Sequence, residues 1–176
     1  MTTVKELIDE VIKKEGGFAD RPADKGGATK YGITQATLSN YYGKKCTVGA
    51  VKRMEKAVAY AIYELSYLTK TGINKLPEVL IPQVFDMAVN HGGSRAIKIL
   101  QKTLNEFGYT CGRVDGFLGD LTISSAKKAV SDNFILINNA IVSHRIAFYE
   151  SIVKRDPSQK IFLVGWLARA NSFHKK

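Results

Sequence analysis

The chain has 176 residues, of which 45% are hydrophobic and 24% charged, a composition typical of a globular protein with one ordinary domain or two small ones. Its net charge of +10 indicates an anionic partner, such as a nucleic acid, a cell-wall polymer or a membrane surface. No apolar run approaches the ~18–20 residues of a membrane span, and the first residues lack the apolar core of a secretory signal peptide. We therefore expect synthesis in the cytoplasm, where cysteines such as Cys46 and Cys111 usually stay reduced.

The apolar spacing predicts a mostly helical chain. Val4 to Lys14 places apolar residues at helical spacing, and Gly16 and Gly17 end that helix. A glycine-rich loop follows, with at most a small sheet near residues 20–35. Further helices are predicted at 35–41, from Thr47, and at 55–68, 82–91, 95–107, 122–130, 134–153 and 161–171.

Glu15 stands where the first predicted helix gives way to two glycines and an irregular stretch. A carboxylate at such a junction can lie partly desolvated at the mouth of a cleft and act as a general acid. Asp24 and then Thr29 follow within the same loop. These three side chains can bracket a sugar: Glu15 protonates the glycosidic oxygen, while Asp24 and Thr29 hold a water on the opposite face of the ring.

Each of these residues also has a simpler interpretation. A lone glutamate at a helix end, such as Glu15, is usually a solvated surface residue. Asp20 is a rival second carboxylate, and both Asp20 and Asp24 suit ordinary turns. The residues alone therefore leave the second carboxylate open.

The ordered run Glu15-Gly16-Gly17-Phe18, followed by residues 24–34, resembles the signature of glycoside hydrolase family 108. These are muramidases found as phage endolysins and as bacterial secretion activators. The resemblance implies that Glu15 is the catalytic acid and that Tyr31, in the same loop, contacts sugar. The spacing is also similar to that of phage-type lysozymes, in which a glutamate is followed by an aspartate and a threonine. In those enzymes the gap between the aspartate and the threonine is one residue longer than here.

The second half of the chain carries two further resemblances. Residues 85–92 resemble the buried helix that lines the cleft of lysozyme-like folds, which implies that Asn90 faces the substrate. Alternatively, Asn90 and His91 only cap the helix end, and His91, with no cysteine or second histidine nearby, predicts no metal site. Residues 100–122, with the pair Asp115-Gly116 as a tight turn, resemble a peptidoglycan-binding repeat. Asp115 can equally serve only to organise its loop.

Together these observations predict a mainly α, lysozyme-like (α+β) fold, a helical bundle with a small β or loop region near residues 20–35. Residues 1–92 are expected to form the catalytic domain and 93–176 a helical peptidoglycan-binding domain. Trp166, on a helix with Leu163 and Leu167, is expected in the core rather than as a sugar platform.

The predicted activity is an N-acetylmuramidase that cleaves the β-1,4 bond between N-acetylmuramic acid and N-acetylglucosamine in peptidoglycan. The alternatives are a lytic transglycosylase acting on the same bond and a non-catalytic wall-binding protein. We expect no metal, no organic cofactor, no nucleic-acid partner, no stable membrane insertion and a monomeric state. Such a protein would act on the cell wall, in the periplasm or outside, after release through a holin-type or other pore.

Overall fold

The computed structural model describes residues 3–20 and 28–176, which fall in two compact units, Met1–Lys70 and Thr71–Lys176. In the described part of the chain the fold is mainly α, as the sequence predicts, with one two-stranded sheet. Residues 71–92, assigned to the catalytic domain from the sequence, pack within the second unit. The boundary at residue 92 between a catalytic and a peptidoglycan-binding domain stays a prediction.

The described residues of the first unit form four α-helices and a β-hairpin. They are α1 (Val4–Glu15), β1 (Thr29–Lys30), β2 (Ile33–Thr34), α2 (Gln35–Tyr42), α3 (Val48–Arg53) and α4 (Lys56–Glu64), the last continued by a π-helical turn, Leu65–Thr69. The single helix predicted for residues 55–68 therefore changes its winding after Glu64.

Helix α1 begins with a capping box, in which the Thr3 hydroxyl accepts from the Glu6 N–H and the Glu6 carboxylate accepts from the Thr3 N–H. One face of the helix is buried and consists of Leu7, Ile8, Val11 and Ile12. The Thr34 and Thr47 hydroxyls cap α2 and α3 by accepting from the N–H groups of Thr37 and Ala50. These local signals orient the short helices that surround the hairpin.

The described residues of the second unit form the remaining α-helices. They are α5 (Ile81–His91), α6 (Gly93–Glu106), α7 (Asp120–Arg155) and α8 (Lys160–Asn171), with 3₁₀ turns at Ile73–Lys75 and Pro157–Gln159. The sequence predicts two helices, 122–130 and 134–153, in the region of α7. The structure has a kink between them, where Asn133 has non-helical φ and ψ of −162° and 88°. Its side chain accepts from the Leu136 N–H at 3.0 Å, so it caps the second segment.

A buried ion cluster joins three helices of this unit. Asp86, on α5, has a fully buried side chain and accepts from Arg145 on α7 at 2.5 Å. Arg169, on α8, donates to the other carboxylate oxygen from Nε at 2.8 Å. Arg145 also donates from Nε to the Tyr149 hydroxyl at 2.9 Å. Because both guanidinium groups reach one carboxylate, the three helices share a single electrostatic anchor.

The loop between α6 and α7 is organised by one buried amide. The Gln101 Nε2 donates to Asp115 at 2.9 Å and to the Phe117 carbonyl at 3.0 Å, while its Oε1 accepts from the Gly116 N–H at 2.9 Å. The Gln101 and Phe117 donors hold the pKa of Asp115 below its ordinary value. Asp115-Gly116 is thus a turn tied to α6, and the contacts of Asp115 within the described chain are structural.

Aromatic stacking and buried thiols complete the packing. Trp166 is half-buried, outside the fully buried core where we expected it, and stacks on Tyr149 and on the exposed Phe162, with ring centroids 5.2 and 5.8 Å apart. Cys46 and Cys111 are both free and buried.

We predict that Asp86→Asn destabilises the second unit by about 3–5 kcal/mol, because it leaves the buried Arg145 charge without its counter-charge. Urea unfolding followed by the fluorescence of Trp166, the only tryptophan, measures this unit directly. Asp132→Asn is the matched control, since it breaks an exposed pair with Lys128 and should change little. Equal effects of the two substitutions would contradict the anchoring role of Asp86.

Candidate active site

Glu15 is the last residue of α1, and it is exposed rather than partly desolvated as the sequence suggested. The helix ends there because Gly16 takes a positive φ of 75°, while its N–H still donates to the Ile12 carbonyl at 3.1 Å. The carboxylate therefore projects from a rigid helix end, where a large ligand can reach it.

The chain after Glu15 turns back alongside the hairpin. The Gly16 carbonyl accepts from the Tyr31 N–H at 3.1 Å, and Ala19 exchanges two backbone hydrogen bonds with Thr29, at 2.9 and 2.8 Å. Thr29 in turn pairs with Thr34 across the hairpin. The structure thus brings the backbone next to Glu15 together with Thr29 and Tyr31, three residues that the sequence singles out.

The hairpin turns through Tyr31-Gly32, and both residues have positive φ, 55° and 76°. Two consecutive left-handed residues between paired strands form the tight turn typical of a two-residue hairpin. Gly32 is required for a second reason. A Cβ atom at this position would lie 2.5 Å from the Tyr63 hydroxyl and 3.0 Å from Cγ of Glu15. The turn therefore packs directly against the stem of the Glu15 side chain.

Tyr63, which the sequence analysis does not single out, supports this turn from α4. It is buried, and its hydroxyl donates to the Tyr31 carbonyl at 3.1 Å. Its ring stacks on Tyr67 at 5.9 Å. Burial and the nearby Glu15 carboxylate raise the pKa of Tyr63 above its ordinary value, so the phenol keeps its proton and remains a donor. The one signal for it is an aromatic pair at helical i,i+4 spacing, which indicates a packed helix face as readily as a site.

Asp24 lies outside the described residues, and its role stays a prediction. Asp20 is exposed and directly follows the bridge formed by Ala19. Asn90 is exposed at the end of α5 in the second unit, where its Nδ2 donates to the Asp86 carbonyl at 2.6 Å and to the Asp86 carboxylate at 3.3 Å. That bond fits the helix-end role, while the substrate contact of Asn90 stays a prediction.

No group of three or more His, Cys, Asp or Glu side chains in the described part of the chain could hold a metal ion. None of the helices described here combines the length and the apolar character that crossing a membrane requires.

A mainly α fold with an exposed glutamate at a helix end, held by a tight hairpin, has the architecture of a lysozyme-like glycoside hydrolase. The family model for glycosyl hydrolase 108 matches residues 8–92, and a model described as a predicted peptidoglycan domain matches residues 95–171. The chain is similar to the solved structure of SagA from Brucella abortus, with 30% identity and a TM-score of 0.65 over 98% of this chain and 95% of that one. A comparison with curated proteins gives no match.

The chain therefore belongs to glycosyl hydrolase family 108 and carries a peptidoglycan-binding domain. It is a glycoside hydrolase whose polymer partner is peptidoglycan. The family assignment matches the resemblance carried by residues 15–18 and 24–34.

We predict that Gly32→Ala lowers both stability and hydrolytic activity, because the added methyl group strains a left-handed residue and displaces Tyr63 and Glu15. Gly43→Ala is the matched control: Gly43 has a similar φ of 66°, but among the described residues no atom beyond its chain neighbours lies within 4 Å of its added Cβ. Both variants carry the backbone cost of about 1–2 kcal/mol. Chemical denaturation should show a further loss of about 1 kcal/mol for Gly32→Ala alone. Identical losses would show that the contact with Glu15 and Tyr63 is unimportant.

Proposed function

We propose that this protein is an N-acetylmuramidase that hydrolyses the β-1,4 bond between N-acetylmuramic acid and N-acetylglucosamine, with Glu15 as the general acid. The observation that carries the proposal is the packing of the Glu15 side chain against Gly32 and beside Tyr63, at an exposed helix end. A general acid must be accessible to a bulky polymer and positioned by its surroundings. The exposed carboxylate of Glu15 and the contact of its stem with the Tyr31-Gly32 turn support this role.

In the proposed reaction, Glu15 donates its proton to the glycosidic oxygen as the bond to the anomeric carbon breaks. The positive charge that develops on the sugar ring requires an anion or an activated water on the opposite face. Asp24 and Thr29 are the proposed groups for this second role. The role of Thr29 is supported by the pairing of its strand with the segment that follows Glu15.

Tyr31 is the proposed sugar contact in this loop. Its ring is half-buried, with the Lys30 ammonium 5.1 Å from the ring centroid. The hydrogen bond from Tyr63 to the Tyr31 carbonyl holds the backbone from which this ring projects. Asn90 is the second proposed substrate contact.

We predict that Glu15→Gln lowers hydrolysis of purified peptidoglycan by about 10²–10⁴-fold, since the amide keeps the shape of the side chain and loses the transferable proton. Glu10→Gln, an exposed glutamate on the same helix, is the matched control and should keep full activity. Wild-type clearance of cell-wall suspensions by Glu15→Gln would remove Glu15 from the catalytic role.

The products of peptidoglycan digestion by the wild-type protein identify both the glycosidic bond that is cleaved and the type of reaction. Mass spectrometry of the products should find reducing N-acetylmuramic acid ends. Reducing N-acetylglucosamine ends would place the cut at the other glycosidic bond. 1,6-Anhydromuramic ends would instead identify a lytic transglycosylase, a reaction that runs on one acid/base glutamate without an activated water.

We predict that Asp24→Asn is far more harmful to hydrolysis than Asp20→Asn, if Asp24 steers the attacking water. Two carboxyl groups that flank a water in an inverting glycosidase stand ~6.5–9.5 Å apart, whereas a retaining pair stands ~5–5.5 Å apart. We expect the wider separation between Glu15 and Asp24, and therefore an α-anomeric product from a β-linked substrate. Anomer-resolved NMR of the first product measures this outcome. Equal activities of the two Asp→Asn variants would leave Glu15 as the single catalytic carboxylate.

A further inference from the structure

A groove of about 330 Å³ lies between α6 and α7, within the second unit. Its α6 wall carries Arg95, Lys98 and Lys102, and its α7 wall carries His144 and Phe148. None of the described residues that line it is acidic. Positive charge is thus concentrated in one concave surface that the proposed reaction does not use.

The three cations form a row rather than a cluster. Residues 95, 98 and 102 share one helix face, and with a rise of ~1.5 Å per residue the row extends over about 10 Å. Among the described residues, a carboxylate approaches only one end of it: Glu106 lies 3.6 Å from Lys102 and 2.7 Å from His144. The salt bridges of the described chain include neither Arg95 nor Lys98, so these two charges remain available to a ligand.

Three of the side chains that line the groove are held in place by contacts within the unit. The Arg95 guanidinium lies over the Phe148 ring, 5.1 Å from its centroid. His144 is fixed by a 2.8 Å hydrogen bond between its Nδ1 and the Thr103 hydroxyl. Lys98 is half-buried, and its stem lies against Gly116, where an added Cβ would come within 3.2 Å of the Lys98 Cε. The tight turn at Gly116 therefore leaves the space in which Lys98 is held.

We propose that this groove binds the free carboxylates of the peptide stem of peptidoglycan, with the row Arg95, Lys98 and Lys102 as the contacts. The inference deepens the proposed function and rests on it, because it names the part of the same polymer that the second unit recognises. A single phosphate requires donors that converge on one point, whereas a row of separated cations fits a chain of separated carboxylates. The apolar wall around Ile99 and Phe148 suits the alanine methyl groups of such a peptide.

The test uses the full chain and a soluble stem peptide that carries no sugar. This peptide is not a substrate for a glycoside hydrolase, so its binding is measured separately from the cleavage reaction. Isothermal titration should show saturable binding to the wild-type protein. Lys98→Gln/Lys102→Gln should weaken it by about tenfold or more, while Lys98→Arg, which keeps the charge, should bind nearly as well as the wild type.

The matched control is Lys127→Gln/Lys160→Gln, which removes the same charge from exposed positions of the same unit outside the groove. It should change the affinity by less than about twofold, since a distant exposed charge is screened at ordinary ionic strength. Trp166 fluorescence of each variant checks that the unit is folded. A peptide whose carboxylates are converted to amides should bind weakly.

Three results would overturn the proposal: no saturable binding of the peptide, equal losses in the two double variants, or equal binding of the amidated peptide. Inorganic phosphate competing at the concentration of the peptide would also overturn it, in favour of a phosphate polymer as the ligand. Hydrolysis of peptide-free glycan strands by the Lys98→Gln/Lys102→Gln variant should stay near the wild-type rate. Loss of peptide binding with hydrolysis retained separates this inference from the proposed catalytic role of Glu15.

Discussion

The second unit depends on one buried carboxylate. A charge as deeply buried as Asp86 is stable only when it is paired and its remaining lone pairs are satisfied, and here guanidinium groups from α7 and α8 fill both roles. One negative charge between two positive ones leaves an excess of positive potential. Burial lowers the pKa of the neighbouring His91 to about 4; the positive charge of Arg145 adds to this shift, and the negative charge of Asp86 opposes it. A neutral imidazole can then pack against the Phe148 and Tyr149 rings.

This packing connects the ion cluster to the groove. Arg145 fixes α7 at the turn that carries His144 and Phe148, and His91 contacts the Phe148 ring from the end of α5. The walls of the groove are therefore set by buried interactions beneath them. A surface that must distinguish one anionic polymer from another needs such rigidity, because mobile lysines attract any negative charge to a similar degree.

In the first unit, backbone geometry rather than charge positions the candidate acid. The hairpin residues Tyr31 and Gly32 occupy left-handed conformations, and strain of this kind persists only where surrounding contacts over-determine it. Those contacts come from the Tyr63 hydroxyl below and the Gly16 carbonyl beside the turn. The result is that the stem of Glu15 is confined on one side, while its carboxylate remains open to a polymer.

Structural features that depend only on residues close together in the chain could be predicted from the sequence. The end of α1 at the glycines, the Thr34 and Thr47 caps, and the break near Asn133 all follow from local conformational preference, and each is found in the structure. Glu15 and the family are recognisable because their motif is local as well. The structure adds the partners of those residues in space. Asp86 pairs with Arg145 and Arg169, which lie 59 and 83 residues further along the chain, and no sequence periodicity predicts such a pairing.

In the candidate site, the role of Tyr63 likewise could not be predicted from the sequence. From the sequence it is one aromatic residue on an amphipathic helix, and such residues usually pack in a core. Its role appears only when the fold places its hydroxyl under the Tyr31-Gly32 turn. A supporting residue of this kind acts on the candidate acid only through the turn that packs against it, so its chemistry leaves no motif.

A hydrolase of an insoluble polymer also faces a problem that a single good active site does not solve. Each cut leaves the enzyme to find another bond, and a general net charge of +10 keeps it near an anionic wall without orienting it. A second site on the same chain, with its own modest affinity for the polymer, makes the next encounter effectively intramolecular. Glycan strands and peptide stems alternate in such a wall. A site for each component would therefore direct the chain to intact peptidoglycan and leave bare sugar or free peptide only weakly bound.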